Sequence, residues 1–156
     1  MWAIIGFIIL AIFFGMASKG KEQQRAIRNL NRNTDRLNEE WNKRISELNI
    51  DLRKTVIVKK YFKSDMADWF NYHIWATGGA IAMFLSLTKT SGVEFRKSPL
   101  EWSVDYLELP TISGVFKRDS ACIIQFNTDK ESLLFALEDY EKINKVYQEA
   151  KEMTNS

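Results

Sequence analysis

Hydrophobic and polar positions divide the chain into three stretches. The first seventeen residues, Met1 to Ala17, carry no charged side chain, and Ser18 and Lys19 end the run. As a helix the run spans roughly 26 Å at about 1.5 Å per residue, near the lower limit for crossing a hydrocarbon layer of ~30 Å. It predicts an N-terminal transmembrane anchor over 1–18. A cleaved secretory signal is a second reading, since Gly15 and Ala17 supply the small residues a signal peptidase reads. No positive segment precedes the run, which argues against a signal. A buried core helix is a third reading, and so pure an apolar run at a chain end argues against it.

The second stretch, 19–54, is polar with a narrow apolar stripe. Ile27, Leu30, Leu37, Trp41, Ile45, Leu48 and Leu52 recur at helical spacing, and no proline interrupts them. This predicts a long polar helical neck, about 54 Å if fully helical. Six asparagines (Asn29, Asn31, Asn33, Asn38, Asn42, Asn49) lower its intrinsic helicity. Ile27, Leu30, Leu37 and Trp41 keep a heptad register with Thr34 in a core slot, and the fours after Trp41 break it as a stutter does. The stripe is open to two main readings: the seam of a parallel coiled coil between copies of the chain, or a face packed on the chain's own distal part.

The third stretch, 55–152, changes period. Thr55–Phe62 is β-branched and aromatic, as a strand is. Ser64 to Asp68 could cap a single helical turn. Tyr72–Thr77, a Gly78-Gly79 turn and Ala80–Leu87 predict a hairpin whose second strand has one bulky and one small face. The uncharged stretch Ile74–Thr88 also admits a second membrane span, with Ala76, Gly78, Ala80 and Ala82 as a small-residue face. The adjacent glycines favour the hairpin. Val93–Arg96, Leu100–Leu109, Thr111–Lys117 and Ala121–Phe126 read as further strands, with Trp102, Val104 and Tyr106 on one face of theirs. Thr128 to Glu131 fits a capping box. It predicts an amphipathic helix to about Glu152, with Leu133, Leu134, Leu137, Tyr140, Ile143, Tyr147 and Ala150 inward and Glu138 and Asp139 facing water. Residues 153–156 are a tail.

Charge sets the expected topology. The net charge of +2 is uneven. Residues 19–63 hold thirteen Lys/Arg against six Asp/Glu, and residues 64–156 hold nine against fourteen. Lys19, Lys21, Arg25 and Arg28 follow the apolar run, so the positive-inside rule predicts an inner-membrane, single-pass protein with its N-terminus outside and its bulk cytoplasmic. The same four charges would meet anionic headgroups. Acids interleave the basic segment and Trp41 is its one aromatic before residue 60, so nucleic acid is not an expected partner. The expected partners are membrane lipid, an unknown protein and, through the seam, further copies of the chain. With one cysteine, Cys122, no intrachain disulfide can form.

Strands closed by one C-terminal amphipathic helix follow the order of elements in pleckstrin-homology-like domains, which Thr55–Glu152 resembles. The resemblance is one of pattern, with no matching motif, and no functional residue carries over. It implies an α+β fold, a small antiparallel sheet or barrel closed by a helix, used to bind lipids, peptides or proteins.

Catalytic chemistry is thinly represented. His73 is the only histidine, and Cys122 lies in an apolar strand pattern without a neighbouring base. Gly78-Gly79 lacks the Lys-Ser/Thr of a phosphate loop. No cofactor, metal site or enzymatic activity is expected. The sequence predicts a membrane-anchored, non-catalytic adaptor or regulator; the alternative is a structural protein that self-assembles through the neck.

Overall fold

The structure, a computed structural model, describes residues 24–25, 28, 35–62, 68–86 and 102–156. By the density of its contacts the chain divides into Met1–Asn42 and Lys43–Ser156.

A helix, α1, covers residues 35–47. Within the second unit its end is a Schellman motif. The Ile50 amide donates to the Ile45 carbonyl and the Asn49 amide to that of Ser46, both at 3.1 Å. Asn49 sits in the left-handed region at φ 54°, which asparagine tolerates better than most residues. Asp51 then caps a single 3-10 turn, Leu52–Lys54, by accepting from the Arg53 amide at 3.1 Å. The expected neck over 19–54 is therefore not one long helix, because Asn49 turns the chain before Leu52.

Seven strands follow: β1 Val56–Phe62, β2 Asp68–Thr77, β3 Ala80–Leu85, β4 Asp105–Glu108, β5 Ile112–Arg118, β6 Ala121–Phe126 and β7 Leu133–Ala136. They form one sheet, every described pair antiparallel, in the order β4-β3-β2-β1-β7-β6-β5. The helix α2, Tyr140–Thr154, comes last. It packs on β1, β2 and β3 and also on β5, while β7 and β6 barely touch it. A helix laid across a flat sheet would have to cross β7 and β6 before reaching β5, so the sheet curls and α2 closes its open side. Ile143, Val146 and Ala150 of α2 are buried there, with Ile74, Phe84 and Phe135 among the most enclosed side chains.

Several expectations change. The fold class of an N-terminal transmembrane helix and polar neck before a small sheet is overturned: the described chain is a seven-stranded antiparallel sheet with two helices. Among the described residues no helix is long and apolar enough to cross a membrane. The single-pass inner-membrane placement and the coiled coil are thus not supported, and the expected anchor over 1–18 lies outside the described residues. Ile74–Thr88 is no second span, because Ile74 pairs with Met83 across the Gly78-Gly79 turn, with Gly79 at φ 92°. β3 is buried on both faces rather than one, and α2 packs against it.

The C-terminal helix starts twelve residues later than Thr128 suggested, at Tyr140. Leu133–Ala136 instead extends the sheet, Ala121 pairing with Ala136 and Ile124 with Leu133. Tertiary pairing overrides a locally helical pattern. Thr128 does accept an amide, from Lys130 at 3.4 Å, but closes a bend and no helix. On β4 it is Leu107 that turns inward, and Tyr106 is 59% exposed. The strand expected at Val93–Arg96 lies outside the described residues, as does the turn expected at Ser64–Asp68 up to Ala67, while Asp68 opens β2.

Candidate functional site

Among the described residues, an open concavity is built from three separate stretches. In the β1–β2 hairpin Val56 pairs with Ile74. Lys54, at the end of the 3-10 turn that precedes β1, lines the same concavity as Ala76. Trp75 and Ala76 close β2, and α2 passes over them. On α2 the residues Glu149, Glu152 and Met153 share one face at helical spacing, and Ser156 follows just past the helix end. Together Lys54, Trp75, Ala76, Glu149, Glu152, Met153 and Ser156 line an open groove of about 490 Å³, within the size range of ligand pockets.

At the groove the apolar stripe of α2 runs on into an exposed residue. Ile143, Val146 and Ala150 are buried, and the next residue on that line, Met153, is 56% exposed. Trp75 and Ala76 are half-buried below it. Two carboxylates, Glu149 and Glu152, stand on the helix wall, and one ammonium, Lys54, stands opposite. Glu149 is 3.9 Å from Lys145, an exposed i,i+4 pair that contributes little. Lys151 lies over the Tyr147 ring at 5.3 Å, off this face.

A second polar cluster joins the start of α2 to β1. Asp139, 3% exposed, accepts from the Lys59 amide and from Lys142 Nζ, both at 2.8 Å. Lys142 Nζ also reaches the Ile57 carbonyl at 3.2 Å. Lys59 Nζ meets Glu138 at 2.7 Å, which raises the lysine's pKa chiefly through that bond. Asp139, expected to face water, is instead the buried anchor of this corner. Its acceptors are occupied, so the cluster is structural.

The two side chains with latent nucleophilic or basic chemistry are withdrawn from solvent. Cys122 is fully buried, and burial, with the Asp139 charge adding to it, pushes its thiol up to about 11. His73 is 7% exposed and its Nδ1 lies 2.8 Å from Thr55 Oγ1. The Thr55 hydroxyl donates to the Leu52 carbonyl at 2.8 Å. Its single proton is then spent, so His73 Nδ1 is the donor to Thr55. Burial lowers the imidazole's pKa. Tyr72 is pushed up to about 12 by burial, with Asp105 adding to it. Among the described residues no three of His, Cys, Asp and Glu gather as metal ligands.

Of the residues singled out in the sequence, Arg25 and Arg28 are helical and exposed, Leu37 is half-buried and Trp41 is buried. Lys19, Lys21, Ile27 and Leu30 lie outside the described residues. None of the four described ones lines the groove. The groove residues escaped notice because no local spacing joins Lys54, Trp75 and Met153. The one signal available was Met153, apolar and in phase with the buried face of α2. Compared with protein-family models and with curated proteins, the sequence finds no match.

Proposed function

We propose that the chain is a non-catalytic interaction module that captures part of another macromolecule in the groove at the end of α2. The observation that carries this reading is the continuation of α2's apolar stripe into Met153, exposed in one groove with Trp75 and Ala76. An apolar floor with charges on its rim is the anatomy of a binding surface, with burial at the centre and polar groups outside. The inaccessible positions of His73 and Cys122 favour binding over turnover.

Photo-crosslinking in the cells that make the protein tests this reading. A photoreactive residue in place of Met153 is expected to give a discrete adduct that Ala76→Trp, which fills the floor, suppresses. The same residue at Tyr106, exposed on the edge strand β4, should give none. An adduct at Tyr106 equal to that at Met153, or none at either, contradicts the proposal.

A further inference from the structure

The groove's charges narrow the class of occupant, and the inference rests on the binding reading above. We infer that the groove receives an arginine or lysine side chain from an extended segment of a partner protein, flanked by apolar residues. Three features converge on a cation. Glu149 and Glu152 lie three residues apart on the wall of α2 that faces the groove. The helix ends at Thr154, and its terminal carbonyls give that end a partial negative charge of about half an elementary unit. The basic residue nearest this end, Lys151, sits over Tyr147 and does not line the groove. Two carboxylates and a helix C-terminus thus outweigh Lys54, the one ammonium lining the groove, and Lys145, 3.9 Å from Glu149, makes only a long exposed pair with it.

The floor suits the same side chain. Long basic side chains lay an apolar stem along hydrophobic surface and keep the charged head at a polar rim. Trp75 and Met153 offer that surface, and a guanidinium or ammonium over an indole face gains a further electrostatic attraction. An acidic side chain placed there would meet Glu149, Glu152 and the helix end. A purely apolar one would leave both carboxylates without a counter-charge from the occupant. An open groove admits an extended segment, whose neighbouring apolar residues would cover Ala76 and Met153.

The probe is the peptide Ac-Ala-Leu-Arg-Leu-Ala-NH2, titrated calorimetrically into the full chain at low salt. Its counterparts carry glutamate or norleucine in place of the arginine. The arginine peptide should bind about tenfold or more tightly than the glutamate peptide, a ratio that two exposed charge contacts reversed in sign can supply. The ratio should shrink in high salt, because the contacts are exposed. Glu149→Lys/Glu152→Lys should reverse the preference, and thermal denaturation should show the fold intact, since both side chains are exposed. Equal affinity for the three peptides overturns the inference, as does no binding of any, or an arginine preference that survives the double reversal. The crosslink at Met153 is independent of these peptides. Its persistence alongside a failed peptide series would retain the binding module and discard the basic occupant.

Discussion

The carboxylate of Asp139 accepts the backbone N–H of Lys59 at 2.8 Å, although the two residues are eighty positions apart. Asp139 precedes α2 yet makes no capping bond to it. Its side chain serves β1 instead, and its charge still lies near the positive end of the helix. The described pairing of β1 with β7 is the single step Lys60 to Phe135. A carboxylate on the adjoining amide therefore fastens the middle of the sheet and the helix at one point. Asp139→Ala should lose about 2–3 kcal/mol, because an amide and Lys142 lose their shared acceptor. Asp139→Asn keeps an acceptor for the amide and should lose about half as much. Urea denaturation at neutral pH separates the two, with an unchanged dependence on urea confirming the same folded and unfolded states.

Acid stability should report His73. Its folded pKa lies below the ordinary value of 6.5 because burial disfavours the charged ring. The unfolded chain then binds more protons between those two values, so stability rises with pH in that window. The contribution is complete above about pH 6.5 and is lost as pH falls toward the folded pKa. Denaturation midpoints measured from pH 7 to about pH 5, above the carboxylate range, should decline in the wild-type chain. In His73→Asn that decline should be nearly absent. An equal decline in both would place the proton uptake elsewhere.

Gly114 lies beneath the ring of Phe116, and a Cβ there would stand 2.6 Å from Phe116 Cζ. The register of β5 against β6 shifts between Ile112 and Gly114, so the ring covers backbone at an irregular point of an edge strand. The ring is 39% exposed and can swing outward. Gly114→Ala should therefore cost only about 1 kcal/mol. In a Phe116→Ala background the same change should be near neutral or stabilising, since alanine restricts the unfolded chain more than glycine does. A double-mutant cycle measures that coupling.

The turn after α1 depends on the left-handed Asn49, at φ 54°. Asn49→Gly should leave thermal stability unchanged or slightly raised, because glycine takes this conformation freely. Asn49→Val should cost about 1–2 kcal/mol, the penalty of a β-branched side chain there. Equal melting temperatures for the two variants would argue that the Schellman turn contributes nothing.

Parts of this fold are legible in the sequence where a local signal has one structural meaning. Gly78-Gly79 between two apolar runs specifies the β2–β3 hairpin, and Asp119-Ser120 the β5–β6 turn, with Asp119 at φ 48°. β7 was not legible. Leu133-Leu134-Phe135-Ala136 suits a helix face as well as a strand, and only the waiting edge of β6 decides between them. The end of the neck was hidden for a similar reason: Leu48 and Leu52 keep helical spacing on either side of Asn49, which leaves the helix. At the candidate site the difficulty is distance along the chain. Trp75 and Ala76 read as part of a hairpin strand, Lys54 as neck and Met153 as tail, and only folding brings them to one groove.

The central claim is that the exposed end of α2 and the end of β2 form a binding surface. Amide-proton NMR of the chain, with the arginine peptide or the crosslinked partner segment added, tests it residue by residue. The account predicts shifts centred on Lys54, Trp75, Ala76 and residues 149–153, with the Trp75 indole proton moving in step. Shifts centred on β4, at Asp105–Glu108, or a spectrum unchanged at saturating ligand, would contradict it.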